Sequence, residues 1–412
     1  MTDKLASVDG QLREAALEAL SYSDRTVSAG DPTLARLTSL GTRLWLDTGR
    51  LEEAAPLWTP EFSALTTNNT LANQVVQTGA LDTAASEAAR RIKDSQPGIS
   101  DAVLVMELGF VVNCHVALRL VRAFDAFVSL ELHPSVSTDI ERTVDYARRY
   151  HAICPERFII KVPLTPEGYC AIGRLSADGI PINYTLGFSA RQNYIAALMS
   201  KPAYVNVFLG RLNAVVADNG IGDGVNVGER VTIATQSALR ELRREGRSQT
   251  LLIAASMRSA SQMLDLAGVD VYTIPPKVVT EFLKSGAGPE AIVSRLDTDY
   301  PVTLADSAVE EYVRPLWEIT DEVRVLGEAV EGRGASMTGE ELRQADADMR
   351  AGMFRRYTDA EKTMIRTDGK IPRIAHWDGC RAPLDDLMAQ SALQSFTVDQ
   401  GELDARLMRI AR

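Results

Sequence analysis

The sequence predicts a single (β/α)8 barrel of the TIM type, preceded by a helical lead-in and followed by an extended helical region. Eight short apolar or β-branched runs occur in order along the chain. Most of them are followed by a stretch in which apolar residues recur at helical spacing. Strands that alternate with helices form a parallel sheet. Eight such units favour a closed barrel over the competing doubly wound sheet, which usually has about five or six strands.

The eight predicted strands lie between residues 43 and 274. They are Arg43–Asp47, Ala64–Asn68, Ala126–Glu131, Phe158–Val162, Pro181–Leu186, Tyr204–Leu209, Thr250–Ala255 and Val269–Ile274. Helical spacing predicts helices over Thr138–Tyr150, Thr165–Ser176, Ala190–Ser200 and Arg230–Arg244. Glycines before strands five, seven and eight mark helix ends: Gly179, Gly246 and Gly268. We expect one domain, with the lead-in over residues 1–40, the barrel over 41–284 and the helical extension over 285–412.

Composition narrows the class of protein. The formal net charge of -11 argues against a nucleic-acid partner, because that binding depends on clustered Lys and Arg. The longest apolar run, Ala102–Ala126, is interrupted by Glu107 and Arg119 and is predicted to be a buried helix, so we expect no membrane span. Met1–Leu20 lacks the pattern of a signal peptide. Four scattered cysteines without a CxxC pair favour a reduced, cytoplasmic protein: Cys114, Cys154, Cys170 and Cys380.

Polar residues stand at the ends of seven of the predicted strands. In a β/α barrel the carboxyl ends of the strands meet at the face that holds the active site. Burying so many polar groups without partners would be costly, so a functional site explains them better than stability does. In chain order the residues are Asp47, Thr67, Asn68, Glu131, Lys161, Asn183, Thr185, Asn206, Arg211, Ser256 and Arg258.

Lys161 is the most informative of these residues. It lies inside the apolar run FIIKVP, where desolvation disfavours the charged ammonium and leaves part of the lysine as a neutral amine. A neutral amine can attack a ketone and form an imine. The structural alternative is a buried lysine that is ion-paired to Glu131 or Asp47. The other polar strand ends favour the catalytic interpretation.

The remaining strand-end residues complete such a site. Asp47 and Glu131 provide two separate carboxyl groups for the proton transfers that imine chemistry needs, although either one could serve only to neutralise a cation. Arg211 and Arg258 suit a phosphate, because a guanidinium group matches the geometry of an oxyanion. A single arginine at a strand end would more often be a salt bridge at the rim.

Seven motifs in the same order resemble those of the transaldolases, a family of Schiff-base aldolase-type β/α barrels. They are LWLDTG at residues 44–49, TTNNT at 66–70, VSLELHP at 128–134, FIIKVPLTPEG at 158–168, INYTLGFSARQ at 182–192, VFLGR at 207–211 and AASMRS at 254–259. SFTVDQGEL at 395–403 is similar to the last helix of the family. The lysine motif together with its six neighbours is a specific match, whereas a lysine before a proline would mean nothing alone.

The resemblance implies a mechanism and a set of roles. Lys161 would form the Schiff base, and Glu131 would move protons through a water held by Thr185. Asp47 would take the proton of the C4 hydroxyl. The other implied contacts are Asn68 and Asn183 to the hydroxyls of the three-carbon unit, Asn206 at a substrate-contacting position, and Arg211, Ser256 and Arg258 to phosphate. The imine is the electron sink, so the resemblance implies no metal and no cofactor.

Three departures from the family pattern leave the substrate open. Asn69 replaces a proline, Asn206 replaces a serine, and residues 285–394 are longer and more charged than the family pattern. The leading hypothesis is a transaldolase of the pentose phosphate pathway, acting on sugar phosphates as a monomer or homodimer. The alternatives are a related aldolase or transferase for another sugar, in specialised biosynthesis, and a non-catalytic sugar-phosphate-binding protein.

Overall fold

The computed structural model describes residues 10, 12–18, 28–377 and 382–412. Most of the predicted lead-in and of Met1–Leu20 lies outside the described residues, as does Cys380. Within the lead-in, residues 12–17 are helical, and a second helix, α1, covers Pro32–Ser39.

Eight parallel strands close into a barrel in the order in which they follow along the chain. They are β1 (Arg43–Asp47), β2 (Phe62–Thr66), β3 (Phe127–Glu131), β4 (Phe158–Pro163), β5 (Ile182–Thr185), β6 (Tyr204–Phe208), β7 (Leu251–Ala255) and β8 (Val271–Ile274). Pairing of β1 with β8 completes the ring. The predicted barrel is therefore confirmed, and the doubly wound sheet is excluded.

Every strand end agrees with the prediction to within two residues, and β2 shows how the small differences arise. This strand ends at Thr66, whereas the sequence predicted a strand through Asn68. The side chain of Asn68 accepts a hydrogen bond from the backbone N–H of Leu71 at 2.9 Å and so caps the next helix. An asparagine that caps a helix has extended backbone angles, which gives it the sequence pattern of a strand end.

Helices follow the strands and form the outer layer. Through the barrel they are α2 (Leu51–Ala54), α3 (Asn69–Gln77), α4 (Asp82–Ser95), α5 (Asp101–Phe124), α6 (Ile140–Ile153), α7 (Pro166–Ala177), α8 (Ala190–Met199), α9 (Leu209–Asp218), α10 (Val227–Arg244), α11 (Ser261–Asp265) and α12 (Pro276–Lys284). Each predicted helix is present. Gly179, Gly246 and Gly268 all have positive φ, as expected where a helix ends before a strand.

The extension after the barrel is helical, as predicted. It contains α13 (Ser307–Val313), α14 (Asp321–Val330), α15 (Gly339–Met349), α16 (Asp359–Asp368) and the long final helix α17 (Leu384–Ala411). Helices α14 and α15 pack on α8 and α7 on one side of the barrel. Helix α17 crosses to the other side and packs on α3, α4 and α5.

Helix α5 is buried as the sequence predicted. Among the described residues, α5 is long and apolar enough to cross a membrane by length and composition. However, 83% of its most apolar stretch is buried inside the molecule. It packs against β3, α4 and α17. Its charged residue Glu107 is neutralised by Arg149, which also lies over the ring of Phe110. This arrangement is that of a core helix.

Candidate active site

A pocket opens at the carboxyl ends of the strands and gathers most of the predicted polar residues. The predicted residues that line it are Asp47, Asn68, Lys161, Asn183, Asn206, Arg211 and Ser256. Glu131 and Thr185 lie deeper, and Arg258 lies at the rim. Thr67 is buried, and its backbone carbonyl faces Lys161. The strand ends therefore converge, as the barrel topology predicted.

Lys161 lies at the centre of this group. The parallel register places Glu131 of β3 on one side of it and Asn183 of β5 on the other. The side chain is only 5% exposed, and its Nζ lies 3.4 Å from the carbonyl oxygen of Thr67 and 3.7 Å from Oε2 of Glu131. The amine faces the pocket and also lies beside a carboxyl group, so its position is compatible with both sequence interpretations of Lys161.

Glu131 is the most deeply buried carboxyl group of the site, with 1% of its surface exposed. Burial raises its pKa to about 7, although the positive charge of Lys161 opposes the shift. Neither carboxyl oxygen has a hydrogen-bond partner among the described residues, and the same is true of the buried hydroxyl of Thr185 on β5. Buried polar atoms without protein partners usually bind water or ligand, so a small polar molecule between these strands would satisfy them.

Asp47 faces the pocket from β1. Its Oδ1 accepts a 2.6 Å hydrogen bond from the hydroxyl of Thr66, which in turn lies 2.5 Å from the hydroxyl of Thr273. Burial raises the pKa of Asp47, while the charge of Lys161 and the bond from Thr66 oppose that shift. Asp47 and Glu131 therefore approach the amine from different strands and in different surroundings.

Three asparagine side chains provide amide groups. Asn183 donates to the hydroxyl of Ser129 at 3.1 Å and accepts from the side chain of Asn206 at 3.2 Å. Asn206 also accepts a hydrogen bond from the backbone N–H of Gly187 at 3.2 Å. Asn68 uses its oxygen to cap α3, which leaves its amide nitrogen available to a ligand. The bond between them, together with the bonds to Ser129 and Gly187, fixes the orientation of the Asn183 and Asn206 side chains.

Asn69, the first departure from the family pattern, does not line the pocket. It is 1% exposed, and its side chain donates to the carbonyl of Leu132 at 3.4 Å. Asn206, the second departure, does line the pocket. Of the two departures, only Asn206 therefore faces the pocket.

The opposite end of the pocket is cationic. Arg211 is 8% exposed, and its buried Nη1 has no hydrogen-bond partner among the described residues. Burial is the main cause that lowers the pKa of Arg211 to about 10, and the positive charge of Arg258 lowers it further. The negative charge of Asp399 opposes this shift. Two guanidinium groups so close together repel each other, and an anion between them would relieve that repulsion.

Ser256 completes the cationic end in a strained backbone conformation. Its φ is 63°, in the left-handed region that serine rarely adopts. Its carbonyl packs so closely on Gly210 that a Cβ at position 210 would collide with it and with the side chain of Arg258. The glycine of the VFLGR motif therefore allows the segments after β6 and β7 to approach closely. This approach places Arg211, Ser256 and Arg258 near one another.

Two pocket residues come from the extension, and we did not predict their positions from the sequence. Lys370 follows α16, and Phe396 belongs to α17. Phe396 lies in the segment that resembles the last helix of the family, so the resemblance gave a signal for it. The sequence contains no comparable signal for Lys370, because no periodicity or motif connects this residue with the strand ends. Among the described residues, no group of three or more His, Cys, Asp or Glu is placed to hold a metal ion.

Comparison with known proteins agrees with this geometry. The model of the family described as transaldolase/fructose-6-phosphate aldolase matches residues 44–314, which is more than half of the chain. A probable transaldolase of Syntrophobacter fumaroxidans is 32% identical over 193 residues, which cover 46% of this chain and 72% of that protein. A probable transaldolase of Nitrosopumilus maritimus is 35% identical over 159 residues, and a transaldolase of Chlamydia pneumoniae is 31% identical over 184. These two matches cover 38% and 42% of this chain. They span 64% and 55% of the relatives, in each case less than two thirds of the relative's length.

Proposed function

The chain belongs to the transaldolase/fructose-6-phosphate aldolase family, and on this basis we propose that it is a transaldolase with a Schiff base on Lys161. The proposed reaction moves a dihydroxyacetone unit from sedoheptulose 7-phosphate to glyceraldehyde 3-phosphate and yields erythrose 4-phosphate and fructose 6-phosphate. The observation that carries the proposal is the buried amine of Lys161, 3.7 Å from the carboxyl group of Glu131, at the base of a pocket with a cationic end.

Imine formation begins with attack by the neutral amine of Lys161 on the ketose carbonyl carbon. The carbonyl oxygen takes up a proton and then leaves as water, which needs a group that both gives and accepts protons. Glu131 suits this role because its pKa of about 7 makes both forms available near neutrality. A water bound by Glu131 and the hydroxyl of Thr185 would carry the proton, and it would satisfy the polar atoms that lack protein partners.

Carbon–carbon cleavage needs a second base. Asp47 takes the proton of the C4 hydroxyl as the C3–C4 bond breaks, and the bonding electrons pass to the protonated imine to give an enamine. The aldose phosphate then leaves, and the enamine adds to the aldehyde of the acceptor, whose oxygen recovers the proton from Asp47. Water hydrolyses the new imine and regenerates Lys161. Asn68 and Asn183 hold the hydroxyls of the three-carbon unit during the exchange.

Borohydride trapping tests the proposal. Reduction of the protein in the presence of fructose 6-phosphate should fix the three-carbon unit on Lys161, which peptide mass spectrometry can locate. Lys161→Ala should give no adduct, and Asp47→Asn should still give one, carrying the uncleaved sugar. An adduct that survives Lys161→Ala would overturn the mechanism. A coupled assay with fructose 6-phosphate and erythrose 4-phosphate then measures transfer itself.

A second candidate keeps the imine and changes the sugar. It is favoured by Asn206, which lines the pocket at the position where the family pattern has serine, and by Lys370, which comes from the extension. Trapping by another ketose without turnover of fructose 6-phosphate would select this candidate. The third alternative, a non-catalytic sugar-phosphate-binding protein, predicts measurable binding of sugar phosphates without any borohydride adduct.

The proposed function places the protein in the pentose phosphate pathway of the cytoplasm, with small sugar phosphates as its partners and no metal or cofactor. Three cysteines are free and buried in the described part of the chain, which suits a reducing compartment: Cys114, Cys154 and Cys170. We further propose that it works as a monomer or homodimer, which sedimentation at assay concentrations would decide.

A further inference from the structure

Lys370 brings a cation from the helical extension to the mouth of the pocket. It lies in the turn after α16, its side chain is exposed, and it lines the same pocket as Arg211 and Phe396. Its amine makes no ion pair with any described residue. A long, flexible side chain with an unpaired ammonium group at a pocket mouth is suited to bind an anionic part of a ligand.

The turn that carries Lys370 is fixed to the barrel on one side and to α17 on the other. The side chain of Asn219, at the end of α9, donates to the carbonyl of Pro372 at 3.0 Å and accepts from the backbone N–H of Ile374 at 2.8 Å. On the other side, the buried hydroxyl of Ser391 donates to the carbonyl of Gly369 at 2.9 Å. Because α9 also carries Arg211, these bonds hold the backbone of Lys370 in a fixed relation to that arginine.

The charges at this end of the pocket suggest the ligand group. Arg211 and Arg258 carry two positive charges, and Asp399, which accepts a hydrogen bond from Thr70, lies close enough to Arg211 to offset one of them. A phosphate monoester carries about two negative charges above its second pKa of ~6. Lys370 restores the second positive charge, so the four side chains together match a phosphate dianion.

We propose that Lys370 is a specificity-determining residue that binds the terminal phosphate of the sugar from the solvent side of the pocket. This inference rests on the proposed function for the identity of the sugar and extends it by giving the extension a part in substrate selection. Arg211 and Ser256 hold the inner side of the phosphate, and Lys370 closes the outer side. Lys370 takes no part in imine formation, so it should affect substrate binding and leave the chemical steps unchanged.

Steady-state kinetics with Lys370→Ala test the proposal. Loss of one charged hydrogen bond to phosphate should raise KM for fructose 6-phosphate about tenfold and change kcat less than about twofold. Activity on unphosphorylated fructose should not change, and Lys370→Arg should restore most of the affinity. Lys284→Ala is the matched control, because Lys284 is equally exposed at the far end of α12. An unchanged KM, or an equal loss with fructose, would overturn the proposal.

Equilibrium binding of inorganic phosphate separates this inference from the proposed function. Titration calorimetry at fixed ionic strength should show about tenfold weaker phosphate binding by Lys370→Ala than by the wild type and by Lys284→Ala. If wild-type protein gives neither turnover nor a borohydride adduct, the proposed function fails, but this difference still supports a phosphate contact by Lys370. Equal phosphate affinity in all three proteins would refute the contact even if the enzyme is active.

Discussion

Glu131 shows how a single buried residue can set the pH range of the reaction. Its pKa of about 7 lies well above the ordinary value for glutamate because β3 and β4 exclude water from it. During imine formation the attacking nitrogen of Lys161 gives up a proton. Glu131 can accept that proton only as a carboxylate, which is its form above its pKa.

We therefore expect kcat/KM to fall as the pH is lowered through about 7, with the carboxylate form of Glu131 as the active form. Glu131→Gln should lose this limb of the profile and lower kcat by about 10²- to 10⁴-fold, the usual contribution of general acid–base catalysis. The measurement is kcat/KM between pH 5.5 and 9, recorded for both proteins. A limb of the same shape in Glu131→Gln would assign the titration to another group.

The sequence predicted the residues of the site better than their surroundings. Lys161, Asp47 and Asn183 could be placed because each belongs to a predicted strand, and the strands converge in a barrel. The orientation of Asn69 away from the pocket could not be predicted, because it depends on the carbonyl of Leu132 on a neighbouring loop. Such a contact leaves no trace in local periodicity.

At the scale of elements, a buried ion pair connects the extension to the barrel. Arg191 of α8 donates two hydrogen bonds to Asp385 at the start of α17, at 2.7 and 2.8 Å, and Ser189 donates a third at 2.6 Å. Arg191 is 6% exposed and Asp385 is fully buried. Ser189 and Arg191 belong to the INYTLGFSARQ motif and lie at the start of α8, so this contact joins α17 to the helix that follows β5.

Removal of Asp385 should destabilise the protein strongly. Asp385→Ala leaves the guanidinium group of Arg191 buried without its counter-ion, which typically costs about 3–5 kcal/mol. Urea unfolding should show this as a lower midpoint. Removing both charges in Arg191→Leu with Asp385→Leu should recover much of the loss. Glu340→Ala, which breaks an exposed pair with Arg356, is the control and should cost less than ~1 kcal/mol. A similar cost for both single substitutions would contradict the assigned role of the buried pair.

Hydrophobic periodicity identified the elements but not all of their contacts. The eight strands and several of the barrel helices were predicted because each βαβ unit has a known position relative to the next. For α14 and α15, an amphipathic pattern predicts that one face of the helix is buried. It does not indicate which other helix that face packs against. Helix α14 packs closely on α8 at Gly327, where a Cβ would approach the side chains of Leu198 and Tyr194. That complementarity exists only in three dimensions.

For the whole molecule, the buried carboxyl group of Asp386 couples stability to pH. Burial, with the charge of Asp385 adding to it, raises the pKa of Asp386 to about 7. Between about pH 4 and 7 the native protein therefore holds a proton that the unfolded chain has released. The contribution of Asp386 to the free energy of unfolding therefore falls as the pH rises through that window. Above about pH 7 the destabilisation by its buried negative charge has reached its full size.

Asp386→Asn should remove this penalty. The amide oxygen can still accept the hydrogen bond from the backbone N–H of Arg355, now 3.1 Å from the carboxylate. Relative to wild type, the variant should gain stability on the order of 2–4 kcal/mol between pH 4.5 and 8. Urea unfolding at several pH values measures the difference, with Asp348→Asn, the same change at an exposed position, as the control. A constant difference across this range would show that Asp386 keeps an ordinary pKa.

The crossing of α17 to the far side of the barrel also has a consequence for biosynthesis. Asp47 and Lys161 are synthesised before Lys370 and Phe396, which line the same pocket. Chains fold from the amino-terminal part as they are made. The pocket is therefore complete only after α17 has been made and has packed on the barrel.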